Sequence, residues 1–476
     1  MTDGFARHGG GEYGGVPLDD EKQTIRAWFG LAEPFDWRKR SYLGPFLFGI
    51  GVLIVCGLFS LAIAAAFKLL GAAVFGGLPQ GAGSSFGLTG IIVAMIGAPF
   101  VVWRAVVAQK QVDVAEQGQI TDRISKAVEG LGAEKTVKDA GEETTEPNLE
   151  VRIGAIYALE RIAQDSLRDH IQIMEILCAY IRENAPLRET PKNPFEVWEV
   201  EDYEGTEKAE MPKGAEMRDW ARSLQKPRTD IQVALEVIGR RKPRQIKIER
   251  SARIGESEIG YRLDLRSTCL QGADLNELNF ADGLFSKAQL QGANLSFAHF
   301  DDVILNGAKL QGAVLGAAYL QRAHLIEAKL QGAILSSAEL QRSRLHEAKL
   351  QGAELIGTTL LGARLIGTQL QGADLTAARL QGAILAYAQF DESAILFHAF
   401  FRGAVVREID FSVTLINPDQ LLNMFGDGTV ILPGGHGPDH ESWPVDWSKE
   451  KLSDPDFNKQ HRAFQRSIGQ DPDNPT

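Results

Sequence analysis

The chain has 476 residues, a formal net charge of −12 and three cysteines. Cys56, Cys178 and Cys269 lie far apart with no metal-like spacing, which excludes a disulfide framework and a cysteine-based metal site. Most of the acidic excess falls outside the middle of the chain, so net charge assigns no partner.

Residues 1–40 read as a hydrophilic cytoplasmic leader, unlike the start of a cleavable signal peptide. No charged residue occurs from Ser41 to Phe67, nor from Leu69 to Trp103. Each stretch supplies the ~20 apolar residues a spanning helix needs, and the hairpin is placed at 43–106. Its spans lie near 43–66 and 86–106, joined by a Gly-rich stretch at 71–85. Arg38, Lys39 and Arg40 precede the first span, and Arg104 and Lys110 close the second. The positive-inside rule then puts both termini in the cytoplasm of a multi-pass protein of a cell membrane. Trp37, Tyr42 and Trp103 would line one interface.

A helical pattern continues over 109–132 through Ile120, Ile124, Ala127, Val128 and Leu131, as a stalk or a short coiled coil. Residues 134–147 are charged and polar and read as a linker. Amphipathic helices follow at 149–164 (Ile153, Ile156, Leu159, Ile162) and 167–184 (Ile171, Met174, Leu177, Ile181). Residues 186–228 read as a polar, acidic loop within a helical accessory domain at 149–241. A helix over 230–240 should cap what comes next. The basic run of Arg240, Arg241, Lys242, Arg244, Lys247, Arg250 and Arg253 is set against Glu249 alone. It reads as the solvated edge of that cap or as a contact to anionic lipid headgroups.

Between Leu263 and Val405 an apolar residue occupies every fifth position, 29 times in succession and without insertion. A period of five suits neither helix nor strand. It marks a solenoid of short extended segments and corners, in which each unit buries its apolar side against its neighbours. Gln-Gly-Ala recurs at 271, 291, 311, 331, 351 and 371, so four units complete one coil. Inward positions are Leu275, Ala293, Leu295, Ala333, Leu335, Ala373 and Leu375 and their equivalents. Outward columns include Lys309, Lys329 and Lys349, with Arg322 above Arg342, and these form the expected interaction surface.

Ala273-Asp274-Leu275, Ala293-Asn294-Leu295 and Ala373-Asp374-Leu375 match the unit of the pentapeptide-repeat family, which this segment closely resembles. The resemblance implies a right-handed, four-sided β-helix over 263–405, behind an α-helical N-terminal region with two transmembrane helices. About seven coils at ~4.8 Å give a rod of ~34 Å. Leu263, Leu278, Val303 and His398 depart from the family pattern, His398 marking a fraying last coil. Bacterial membrane-anchored members carry similar helices before their repeats. Residues 406–476 read as a cap helix, started by Asn417-Pro418 and stopped near Gly426, followed by a largely disordered tail. Phe390, Phe397, Phe400 and Phe401 crowd the last coil, which the C-terminal segment could cap or a second copy could cover.

No catalytic, cofactor or metal site emerges. Gly130 to Thr136 resembles a phosphate loop but carries Glu134 where glycine is required. His436, Asp439 and His440 sit in a Gly/Pro-rich tail, and His8-Gly9-Gly10-Gly11 in the leader. His299, His324 and His346 fall on outward positions. Some members of the family mimic DNA with an acidic rod, but here eleven Lys/Arg against thirteen Asp/Glu leave the rod at −2. A duplex presents about one negative charge per 1.7 Å, so this rod is a poor mimic. The expected function is a non-enzymatic, membrane-anchored scaffold for an unidentified protein partner, with a membrane signal transducer as the alternative and no nucleic-acid partner.

Overall fold

The computed structural model describes residues 85–139, 142–196, 211–252 and 260–471, with isolated positions between 57 and 67. The chain divides into two units, 1–115 and 116–476. The first described element is α1, one continuous helix over Ser85–Leu131. It replaces the expected separation of a span ending at 106 from a stalk beginning at 109.

The expected membrane hairpin, and with it the placement in a cell membrane, is corrected. Among the described residues no helix is long and apolar enough to cross a membrane. Side chains of α1 are described from Phe100 onward, and there Arg104, Lys110 and Glu116 break any apolar run. The leader at 1–40 and nearly all of the first expected span lie outside the described residues.

Residues 134–147 form an antiparallel hairpin, β1 (Glu134–Asp139) with β2 (Glu142–Pro147), in place of a linker. Thr and Val suit an extended backbone. Lys138 also meets Glu143 across the strands at 2.8 Å. Next come α2 (Leu149–Asp165) and α3 (His170–Asn184). Asn148 caps α2, its side chain accepting from the Val151 amide. Ile156, Leu159 and Ile162 of α2 and Ile173, Met174, Leu177 and Ile181 of α3 are buried together, while Ile153 and Ile171 are only partly so.

Two buried polar networks fasten these helices to α5 (Thr229–Gly239) and α6 (Pro243–Ser251). Asp230 accepts from Tyr180 Oη at 2.6 Å, from Arg228 at 2.8 Å and from its neighbour's amide. Burial opposes its ionisation, yet the bonds from Arg228 and Tyr180 prevail and hold its carboxyl below the ordinary value. In the second network His170 lies 2.6 Å from Glu249, which Arg241 meets at 2.9 Å. Breaking such a buried pair leaves an uncompensated charge.

The rod is a four-sided parallel β-helix. Its bridges join residues twenty apart, from Asp264↔Leu284 to Gln369↔Gln389. Leu275, Ala293, Leu295, Ala333, Leu335, Ala373 and Leu375 are all buried. Each corner is a β-turn closed by an i to i+3 bond, such as Ala293 N to Leu290 O at 3.1 Å. Its third residue has positive φ, +66° at Gly292 and +57° at Phe297, the geometry of a type II turn. The first coil is closed by α5, whose Gly239 rests on Leu278. Leu278 therefore breaks the small-residue rule where a helix covers it. Val303 is fully buried beside the packed rings of Phe280, Phe285 and Phe300.

After Gln389 the spacing becomes twenty-one, with Asp374↔Ile395, Arg379↔Phe400 and Ile384↔Val405. One residue has been inserted, contrary to the unbroken count of five. Asp391 organises the bulge: its Oδ1 accepts from the Gly372 amide at 2.9 Å and from Ser393. Inward positions move to Leu396, Phe401, Val406 and Phe411, and Ala399, rather than His398, becomes the small inward residue. The ladder runs on to Asp410↔Ile431, past the expected end at Val405.

Within this stretch β3 (Ala404–Val405) pairs with β4 (Met424–Phe425), and α7 (Pro418–Leu422), capped by Asn417, leads into β4. The expectation of a disordered tail is corrected as well. Trp443 and Trp447 are buried, and Trp447 Nε1 donates to Met424 O at 2.8 Å. Helix α8 (Asp454–Ser467) lays Phe457 and Phe464 on Phe425 at 5.1 and 5.6 Å. Asp and Pro dominate the composition, but four aromatic side chains suffice to hold the segment down.

Candidate interaction surfaces

The Gln-Gly pairs that recur every twenty residues from 271 to 371 fall on one corner of the rod, and the chain itself occupies that corner. Residues 185–196 leave α3 and descend the adjacent face. There the Ala185 carbonyl accepts from Cys269 N at 2.7 Å and Arg188 exchanges two bonds with Gln289. Phe195 is fully buried and faces Gly352. From Met211 the chain returns up the corner through α4 (Gly214–Arg222), burying Met217 and Ala221 against the glycines. A Cβ on Gly332 would lie 2.6 Å from Met217 Cβ and 2.8 Å from Gly214 O; one on Gly292 would meet Ala221 O at 3.0 Å. Arg218 adds an ion pair to Glu354 at 2.9 Å. Residues 186–228, expected as a loop, are in their described part a strap bound along the rod.

This strap bears directly on the expected interaction residues. Lys309, Lys329 and Lys349 do stack in one column. Segment 187–196 borders that column, and Lys329 pairs with Glu196 at 3.4 Å. Arg322 and Arg342 lie on the opposite corner, where Arg322 is forked onto Asp302. The column of lysines is therefore partly an internal contact.

The expected lipid contact is corrected at two of its residues. Arg241 is buried with Glu249, and Arg240 forks onto Glu160 at 2.7 and 2.8 Å. Arg250 pairs with Asp282, while Lys242 starts α6, leaving Arg244 and Lys247 as exposed positions on that helix. The run looks unbalanced in sequence because the carboxylates that meet Arg240 and Arg250 lie 80 and 32 residues away.

The one-residue insertion creates a surface that the sequence conceals. Ile395 and Phe400, counted as inward at every fifth position, are 47% and 54% exposed. With Phe397 and Leu415, also exposed, they line a groove of about 760 Å³ between the last coil and α7. Along the coil Glu392 stands at one end of the apolar stretch and Arg402 at the other. Exposed apolar side chains clustered in this way mark interaction sites, whereas scattered ones do not. His398, replacing the expected small residue, was the signal in sequence that the register had slipped.

The remaining chemical candidates stay apart. Gly130 and Leu131 end a helix and β1 follows, the reverse of a strand–loop–helix phosphate site. The rings of His436 and His440 stack at 3.6 Å, and Asp439 faces Lys449. Among the described residues no group of His, Cys, Asp and Glu could hold a metal ion. His299 stacks on Tyr319. Cys178 and Cys269 are free and buried, and burial pushes the Cys178 thiol up to about 12. Cys56 and the leader's His8 lie outside the described residues.

A family model for pentapeptide repeats, in eight copies, matches this chain at residues 268–307, 284–322, 308–346 and 338–376. Similar solved structures include HetL, a pentapeptide repeat protein involved in heterocyst differentiation regulation from the cyanobacterium Nostoc sp. It is 24% identical over 37% of this chain and 91% of that one, with a TM-score of 0.23. QnrB1, a plasmid-mediated fluoroquinolone resistance protein, is 16% identical over 42% of this chain and 85% of its own, with a TM-score of 0.29. Rfr23, a pentapeptide repeat protein from the cyanobacterium Cyanothece, is 29% identical over 24% of this chain and 63% of that chain, at 0.16. At such TM-scores these likenesses carry no argument about activity. No curated protein matches the chain.

Proposed function

We propose that this chain, whose residues 268–376 match the pentapeptide-repeat model, is a pentapeptide-repeat protein that acts as a non-enzymatic scaffold whose rods pair through the C-terminal groove. The observation that carries this reading is the groove itself. Ile395, Phe397 and Phe400 lie between Glu392 and Arg402 along one coil. A two-fold contact uses the same patch twice. Its antiparallel arrangement sets Glu392 of one copy against Arg402 of the other while the apolar side chains meet between them. The charges are thus complementary to a second copy without any further protein. Pairing covers apolar surface that would otherwise stay in water, at ~25 cal/mol per Å².

The test is the mass of the full chain in solution, by light scattering across a concentration series. A dimer is expected, and Phe400→Asp together with Ile395→Asp should convert it to a monomer. Both side chains are exposed, so the far-ultraviolet circular dichroism spectrum should not change. A wild-type chain that stays monomeric at tens of micromolar, or a doubly substituted chain that still pairs, overturns the proposal. Binding of a different protein at this groove with no self-association would do so too.

A further inference from the structure

We propose that the face of the rod carrying His324, Arg344 and Arg364 binds a short acidic peptide segment of a partner protein. These residues are successive rungs of one ladder, Ile304↔His324↔Arg344↔Arg364↔Ile384. Backbone bonds on both sides fix the rungs, with Leu325 N to Arg344 O at 2.7 Å and Arg364 N to Ser343 O at 2.9 Å. The two guanidinium groups therefore stand on adjacent coils, about 4.8 Å apart at their roots. Both arginines are exposed, and among the described residues neither forms an ion pair. Arg322, one corner away, is by contrast already committed to Asp302.

Holding two like charges on neighbouring rungs costs energy that an anionic ligand would relieve. Guanidinium forks bind carboxylates in bidentate fashion, and a rigid ladder spends little entropy on orienting them. Two histidines complete the surface. Burial first, and then the field of Arg344 with Arg262 or Arg364, lowers the proton affinity of His324 and His346. Their rings stay neutral near pH 7 and offer N–H donors. His346 Nδ1 is buried with no hydrogen-bond partner among the described residues.

The border of the face selects the ligand. From His324 to Arg364 it spans about 10 Å. Glu327 and Glu347 occupy the next corner, and Asp302 lies on the other. A duplex, with a charge every ~1.7 Å, would overrun these carboxylates. A short segment presenting two or three carboxylates would not, and Ile304 and Ile384 leave apolar ground at either end for its flanks.

Fluorescence anisotropy of the full chain with fluorescein-labelled hexaglutamate tests this. Saturable binding is expected, weakening as salt is raised. The double substitution Arg344→Gln, Arg364→Gln should weaken it at least about tenfold, since charged hydrogen bonds are lost at both rungs. Arg344→Lys with Arg364→Lys, which keeps the charge but loses the fork, should fall between. Arg379→Gln, exposed on the neighbouring face, should leave binding unchanged. Absence of binding at low salt, equal loss in the Arg379 variant, or stronger competition by duplex DNA than by unlabelled peptide overturns the proposal. The readout is independent of rod pairing, because Phe400→Asp alters a different face.

Discussion

At the scale of the residue, the alternation of inward and outward positions decides what each side chain can tolerate. Ala333 is fully buried between coils, and Ser337, four residues on, is exposed at a corner with φ of +59°. Ala333→Phe should destabilise the protein by about 1–3 kcal/mol, because an overfilled coil must push its neighbours apart. Ser337→Ala should stay within about 0.5 kcal/mol. Urea unfolding of both variants checks this, and equal effects would contradict the assignment. These positions were legible from the beat of five alone, since a small and a large apolar residue two apart must share a face of an extended segment. Ile395 and Phe400 were not. Each has an apolar neighbour, Leu396 and Phe401, so the pattern survives a one-residue slip unchanged and only His398 betrays it.

At the scale of the element, the strap explains why one corner of the rod is written differently from the others. Any type II turn accepts a residue with positive φ, and Phe297 and Arg322 show that glycine is not needed for the turn itself. Glycine recurs at the Gln-Gly corner because α4 lies on it. Gly332→Ala and Gly357→Ala separate the two demands. Both positions have positive φ, +63° and +64°, and each should lose about 1–2 kcal/mol to backbone strain. At Gly357 the nearest atom to a new Cβ is Ser337 Oγ at 3.8 Å; at Gly332 it is Met217 Cβ at 2.6 Å. Gly332→Ala should therefore cost more and should expose Lys213 and Arg222 to trypsin. Identical stability and identical digestion would show that α4 does not depend on this corner. The twenty-residue recurrence was visible in the sequence; its cause was not, because the partner is a polar segment with few apolar residues to announce it.

At the scale of the whole molecule, a solenoid is held by contacts between neighbours, so its ends determine where it opens. The C-terminal end is closed by Phe425, Phe457 and Phe464 and by Arg407, which pairs with Asp427 and Asp454. Phe457→Ala removes a core ring, worth about 3–5 kcal/mol where the site cannot collapse. Hydrogen exchange should speed up from about residue 395 to 432 while the coils around Leu315 remain protected. Uniform acceleration along the rod would mean that it unfolds as a single unit instead.

Taken by itself, the sequence determined the rod: its inward residues, its four sides and its near-neutral charge all follow from short-range periodicity. The tertiary structure alone decided which faces remain available. Carboxylates distant in sequence neutralise Arg240 and Arg250, the strap covers the glycine corner, and the tail covers the final coil. The inserted residue after Phe390 turns apolar side chains outward. Each of these depends on contacts between residues far apart in the chain, which a local period cannot encode.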